Sequence, residues 1–301
     1  MSRVLVTGGT GFIGQPVCRE LIQGGFDVAI LTRSHQINRD NKYKFIRSDL
    51  NLNQSAIADI VAFNPTEIIH LAWDGIPDFS ARKCNENLQK SKFFFQIVLE
   101  HCHIEKVVVT GSCLEVSAAK GEVDRHKWQV DQEFTQAKKS LFDWLNSISS
   151  EKKFALFWPR LFYVYGQGQR SGSLIPTVCD SLIREGVLPQ LRSVDDCLDY
   201  IHVDDVAKAI RCCLISKSRG GVFNIASGQA TCVKEILRYL LNLRFKKNNV
   251  AFTPISKCLD SADRCFWGNI EDSDKFLNWK PSKTLEIGLY ELYQSYKNSG
   301  I

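Results

Sequence analysis

No run of about 18 apolar residues occurs anywhere in the 301-residue chain, so a membrane-spanning helix is not expected. The opening stretch MSRVLVTGGTGFIG lacks the basic start, apolar centre and cleavage site of a signal peptide, and a cytoplasmic protein is expected. No C-x-x-C pair exists. The eleven cysteines are scattered among apolar segments, with only Cys212 and Cys213 adjacent, so no metal site is expected. An odd cysteine count without a secretion signal also argues against a disulfide framework. These residues read as small core side chains in a reducing compartment. Internal repeats and low-complexity tracts are lacking. The net charge of +5 is mild and its basic residues are dispersed rather than striped, so neither a nucleic-acid nor a membrane partner is expected.

What is present is ordinary globular composition, 44% hydrophobic and 24% charged, enough for one large domain or two closely joined ones. Short β-rich runs recur: RVLVT (3–7), DVAIL (27–31), EIIHLA (67–72), KVVVTGS (106–112), FALFWPRL (154–161) and VFNIA (222–226). Amphipathic stretches lie between them, notably 87–102 and 132–148, and a further helix is predicted over 174–185. Such alternation predicts an α/β fold, a Rossmann-type doubly wound parallel sheet covered by helices on both faces. The pattern loosens after about residue 166, and the segment 227–280 mixes helix with irregular structure.

The stretch VTGGTGFIG (6–14) follows the first strand and opens the first helix. Gly8 allows a tight turn, Gly11 lets backbone approach a pyrophosphate, and Gly14 permits close helix–strand packing, with the phosphate at the helix N-terminus. An NAD-preferring site usually carries an acidic residue at the end of the second strand. Here Thr32, Arg33 and Ser34 stand there, and Arg33 is suited to clamp a 2′-phosphate. NADP(H) is therefore expected, rather than NAD.

These features, with SDL (48–50), HLAW (70–73), ENL (86–88), VVVTGSCLEV (107–116), FTQAK (134–138), PRLFYVYGQG (159–168), DYIHVDDVAKAI (199–210), VFNIASGQ (222–229) and LNWKPSKTLEIGL (277–289), occur in order along nearly the whole chain. In this series the chain resembles the extended short-chain dehydrogenase/reductases, the group of nucleotide-sugar epimerases, dehydratases and 4-ketoreductases. The resemblance implies a dinucleotide-binding domain over 1–165, completed by segments near 199–226, and a smaller C-terminal substrate-binding domain mainly in 166–301. It implies that Gly8, Thr10, Gly11, Phe12, Ile13 and Gly14 surround the cofactor, that Asp49 and Leu50 lie by the adenine, and that Leu71 and Ala72 line its pyrophosphate and ribose. Ser112 takes the place of the hydroxyl residue that bonds the substrate's reacting oxygen. Lys138 would hold the nicotinamide ribose, and Leu161 and Phe162 begin the loop beside the nicotinamide. Trp73, Asp74, Ser112, Cys113, Phe162, Arg170, Leu174 and Arg192 are the implied substrate contacts, with specificity in the loops 73–82, 166–176 and 188–198.

Three departures narrow the chemistry the resemblance implies. A 4,6-dehydratase of this group carries an Asp–Glu pair after the hydroxyl residue; here Cys113 and Leu114 stand there. The arginine that grips the sugar nucleotide's diphosphate is replaced by Leu198, leaving Arg170, Arg192 or Arg264 as substitutes. The proton-donating tyrosine, one helical turn before the lysine, is Phe134. A phenylalanine there fits a Tyr-to-Phe substitution that disables the acid and traps a bound substrate. It also fits a native residue, with Ser112 and a water relay delivering the proton or with catalysis abandoned, though the retained Ser112, Lys138 and glycine turn favour the substitution. The expected activity is NADPH-dependent reduction of the C4 ketone of a nucleotide-linked 4-keto-6-deoxyhexose, impaired by Phe134. A 4-epimerase retaining NAD and a non-catalytic NADP-binding sensor are the alternatives. The family's helix pairing implies a homodimer built on Phe93, Phe94, Phe95, Val98, Leu141, Trp144 and Leu145.

Overall fold

The computed structural model describes residues 2–34, 42–115, 132–191, 193–245 and 265–299. In the first part, β1 (Arg3–Thr7), α1 (Gly14–Gln23), β2 (Asp27–Thr32), β3 (Lys44–Arg47), α2 (Gln54–Phe63), β4 (Glu67–His70), α3 (Ala81–His101), β5 (Lys106–Val109) and β6 (Gly111–Ser112) follow one another. Then come α4 (Gln132–Lys152), β7 (Ala155–Leu161), β8 (Tyr163–Tyr165), α5 (Leu174–Arg184), β9 (Cys197–His202), α6 (Val203–Ile215), β10 (Gly220–Ile225), β11 (Ala230–Cys232), α7 (Val233–Phe245), β12 (Cys265–Phe266), α8 (Glu271–Leu277) and α9 (Leu285–Asn298).

The large sheet runs β10-β7-β5-β4-β1-β2-β3, with β6 beside β7, and its pairings are parallel. The chain builds outward from β1 to β3, crosses back to β4, and builds outward in the other direction. That reversal leaves a crevice at the carboxyl ends of β1 and β4, where open α/β sheets hold ligands. Alternate residues of each strand serve opposite faces. Val4, Val6, Val28 and Ile30 pack with Val17 and Leu21 of α1 and with Ile210 of α6. Leu5, Ala29, Leu31 and Ile68 pack with Ile60 of α2, Phe94 of α3 and Leu141 of α4.

A second, smaller sheet centres on β9, with β11 antiparallel and β8 and β12 parallel to it. Its layer closes with Val178 and Leu182 of α5, Ile236 and Leu240 of α7, and Leu289 and Leu292 of α9. Between these parts of the chain, α6 and β10 return to the large sheet.

The helix expected over 87–102 begins at Ala81, because Ser80 caps it by accepting the Lys83 N–H at 3.4 Å. Much of the apolar face on α3 and α4 is consumed by the chain's own core: Phe94, Phe95, Val98, Leu141 and Leu145 are buried, whereas Phe93 is 40% exposed. The cysteine expectation needs a correction. Cys197 and Cys232 stand opposite each other across β9 and β11 and are joined as a disulfide. They lie 35 residues apart in the chain, so only the strand register brings them together. Cys18, Cys84, Cys102, Cys113, Cys179, Cys213 and Cys265 are buried thiols. Among the described residues no helix is long and apolar enough to cross a membrane, and no His, Cys, Asp or Glu group is placed to hold a metal.

Asp205, wholly buried at the start of α6, ties the C-terminal segment down. Its carboxylate accepts the N–H of Ser282 at 2.9 Å, the Ser282 hydroxyl at 2.6 Å and the N–H of Lys283 at 2.8 Å, with Lys208 Nζ at 3.3 Å. Burial alone would raise its pKa, but these donors outweigh it and hold the group below the usual carboxylate range. Its stabilising contribution is thus present above the ordinary aspartate pKa and lost as pH falls through the lower folded value. Asp205→Ala should cost about 3 kcal/mol, since it removes a buried acceptor that several part-buried donors share. The expected readout is a lower urea midpoint at unchanged slope, with the gap to the native chain closing in acid.

Candidate active site

β1 ends in a turn that no side chain could enter. A Cβ on Gly8, whose φ is +72°, would lie 2.8 Å from the Ala72 nitrogen, and one on Gly14 would lie 2.1 Å from the Gly8 carbonyl oxygen. The Gly11 N–H closes the turn on that same carbonyl at 3.0 Å. α1 then starts at Gly14, after Ile13, without a capping side chain. The Gln15 N–H bonds the Gly11 carbonyl at 3.0 Å and Pro16 has none, so among the described residues the Gly14 N–H is the one at this start with no capping acceptor. Around this concavity lie Thr10, Phe12, Thr32, Arg33, Asp49, Leu50, Leu71 and Ala72, walls of one cavity of about 1170 Å³. A glycine cradle against an uncapped helix start fits the pyrophosphate of a dinucleotide.

Arg33 is not idle at the cavity mouth. Its Nη2 lies 3.2 Å from Asp74 Oδ1, in an exposed pair, and Lys83 Nζ donates to Asp74 Oδ2 at 2.8 Å. The Lys83 bond, ahead of Arg33, holds the Asp74 carboxyl below its usual range. Asn87 fixes the same loop, accepting the Asp74 N–H at 2.7 Å and donating to its carbonyl at 2.9 Å.

At the far end of the cavity, β6 delivers Ser112 and α4 delivers Phe134 and Lys138. The Ser112 N–H donates to Glu115 Oε1 at 2.7 Å, and its hydroxyl accepts the Leu114 N–H at 3.2 Å. Glu115 is itself gripped by the Trp158 indole N–H at 2.8 Å and by Arg160 at 3.7 Å. Lys138 is 5% exposed; its Nζ donates to the Thr110 carbonyl at 2.8 Å and lies 4.3 Å over the Trp73 ring. Burial lowers its pKa to about 8, against a smaller upward pull from Glu115. Phe134 is 6% exposed, edge-on to Trp73 at 5.3 Å and 4.7 Å from the Phe79 ring. It offers shape and packing, but no proton. The Cys113 thiol is pushed up to about 12 by burial, and Leu114 has nothing to ionise.

Residues 4–226 match the NAD-dependent epimerase/dehydratase family. The chain belongs to that family. It is 24% identical to the dTDP-4-dehydro-6-deoxyglucose reductase of Escherichia coli, over 98% of this chain and 97% of that protein. The UDP-glucose 4-epimerase of Thermotoga maritima, solved with UDP-glucose, superposes with a TM-score of 0.81 at 20% identity, covering 99% of this chain and all of that one. A tyrosine-to-phenylalanine mutant of the UDP-glucuronic acid 4-epimerase of Bacillus cereus, in complex with a fluorinated UDP-sugar and NAD, superposes with a TM-score of 0.78 at 19% identity, over 99% of each chain.

For a member of the epimerase/dehydratase family, the candidate residues converge closely. Trp73, Asp74, Cys113, Leu161, Phe162, Arg170, Leu174 and Leu198 line the same cavity as the glycine turn, Ser112, Phe134 and Lys138. Arg192 and Arg264 lie outside the described residues. Reading the sequence passed over Glu115, Thr110 and Phe79. The one available signal was a buried-strand tryptophan, Trp158, whose indole N–H must find an acceptor. Glu115→Ala should leave the N–H groups of Ser112 and Trp158 without that acceptor and cost about 2–4 kcal/mol. Urea unfolding measures the loss, and Glu115→Gln, which retains one acceptor oxygen, should recover part of it.

Proposed function

We propose that this chain reduces the C4 ketone of a nucleotide-linked 4-keto-6-deoxyhexose with NADPH. One observation carries the reading: a single cavity joins the glycine turn to Ser112 and Lys138, with a high-pKa thiol and a leucine in the place of a dehydratase's acid–base pair. Such a site can support a carbonyl oxygen while hydride arrives, but positions 113 and 114 offer no carboxylate to eliminate water. The full-length likeness to a 4-keto-deoxysugar reductase supports the same substrate class. Gly8, Gly11 and Gly14 would hold the pyrophosphate, Asp49 and Leu50 the adenine end, and Ser112 the reacting oxygen. The nicotinamide supplies the hydride.

Arg33 supports NADPH. A second reading, NAD, is favoured by the Arg33–Asp74 pair, which sets a carboxylate against the guanidinium that a 2′-phosphate would need. Calorimetry decides between them. Arg33→Ala should weaken NADPH by tenfold or more while leaving NADH little changed, one charge-assisted contact being worth roughly 1.5–3 kcal/mol. Equal affinity of the native chain for both cofactors would move the assignment to NAD.

Phe134 sets the rate rather than the binding. In the B. cereus epimerase a tyrosine-to-phenylalanine mutant is in complex with both a sugar nucleotide and NAD, so loss of a phenol is compatible with two bound ligands there. General acid catalysis contributes about 10²–10⁴-fold. Phe134→Tyr should therefore raise kcat for NADPH oxidation by about a hundredfold with 4-keto-6-deoxy nucleotide sugars. A tyrosine variant no faster than the native chain, on substrates both bind, would remove the tyrosine-type acid from this position.

A further inference from the structure

Reduction of a ketone leaves an oxygen that must gain a proton, and this chain has to find one without a phenol at position 134. The groups lining or flanking the cavity can be taken in turn. His70 is sealed between the Thr7 and Ser91 hydroxyls at 2.9 and 3.0 Å, and burial lowers its pKa to about 3, so it carries no proton to give. The Cys113 thiol is too weak an acid, and Asp74 is an ionised carboxylate held by Arg33 and Lys83. The Tyr165 hydroxyl faces the Leu285 carbonyl, and burial raises its pKa. The Ser112 hydroxyl can bond the oxygen but is itself a poor acid.

Lys138 remains. It stands on the same wall as Phe134, one helical turn on, and its ammonium carries three donors. One goes to the Thr110 carbonyl, and the Trp73 ring covers part of the charge. No carboxylate pairs with it directly among the described residues. Glu115 acts on it from the turn after β6, His70 from β4 is neutral, and Asp74 is engaged elsewhere. From this arrangement we propose that Lys138 is the general acid of this chain, delivering its own ammonium proton to the substrate oxygen in place of the missing phenol.

The inference rests on the reductase reading above. In the step, the carbonyl carbon gains hydride from the reduced nicotinamide, which is oxidised, and the C=O π bond breaks toward oxygen. The oxygen takes a proton from Lys138 Nζ, leaving a neutral amine that solvent reprotonates. A donor of pKa about 8 is charged at neutral pH yet gives its proton up readily. Because the protonated form is the working one, the rate falls as pH rises above about 8.

The test measures NADPH oxidation with a panel of 4-keto-6-deoxy nucleotide sugars from pH 6 to 10, for the native chain, Phe134→Tyr, Lys138→Arg and the double variant. Arginine keeps the positive charge but does not release a proton in this range. A second readout needs no turnover: the Lys138 Nζ resonance in ¹⁵N-lysine-labelled protein, followed against pH. The expected result is an Nζ midpoint near 8 and a native rate that falls above the same pH. Lys138→Arg should cost at least ten times more in the native chain than in the Phe134→Tyr background, where a phenol can supply the proton. The profile and the titration use the native chain, so they decide the matter even if Lys138→Arg fails to fold. A native rate that is level to pH 9, an Nζ midpoint above 10, or equal losses in the two backgrounds overturns the proposal. If Phe134→Tyr turns over and the native chain does not, the reductase reading stands and Lys138 is not the donor. If neither turns over on any sugar, the reductase reading falls, and the proposal with it.

Discussion

The Gly8 position has no room for a side chain, and the rest of the site depends on that closeness. A Cβ there would meet the Ala72 nitrogen at 2.8 Å, so the turn after β1 lies directly against the chain leaving β4. These are the two strands between which the sheet order reverses. Their contact sets the depth of the crevice, the start of α1, and the line along which Leu71, Ala72, Trp73 and Asp74 pass over its rim. A larger residue at Gly8 would have to push β1 and β4 apart, and the parallel sheet around them is packed on both faces.

Two buried carboxylates extend that frame to the smaller layer. Asp205 holds the turn before α9 onto α6. Asp199, on β9, accepts the N–H groups of Ser227 and Gly228 at 2.7 and 2.9 Å and of Gly268 at 3.3 Å. Its pKa is raised to about 6, burial prevailing over those donors. Stability from this group is therefore full below the ordinary aspartate pKa and declines as pH rises through about 6, the opposite sense to Asp205. The two layers are thus fastened by carboxylates whose contributions to stability change with pH in contrary directions.

At the chemical end, the substitution of a ring for a phenol is matched by its surroundings. Phe134 is enclosed by Trp73 and Phe79, and Cys84 and Ala137 complete the same small apolar cluster. Lys138 sits at the margin of this cluster rather than in a salt bridge. Its burial, its single backbone acceptor and the indole face above it keep its charge only weakly held. Glu115 serves a different need, satisfying Trp158 while fixing the backbone of Ser112.

Much of this was legible in the chain. The β-rich runs, their alternation with helical periods and the glycine spacing together specify a parallel sheet with a tight glycine turn after β1, because each rests on local backbone preference. The Phe134–Lys138 spacing placed both residues on one wall, since a helix repeats every 3.6 residues. Elements whose stability comes from their neighbours were not legible: β3, KFIR, carries charge at both ends, and β11 is three residues long. Only tertiary structure could join Cys197 to Cys232, set Arg33 against Asp74, or bring Glu115 under Ser112 and Trp158. Those pairings link residues from 3 to 43 positions apart, and no local pattern encodes which partners the folded sheet will bring within reach.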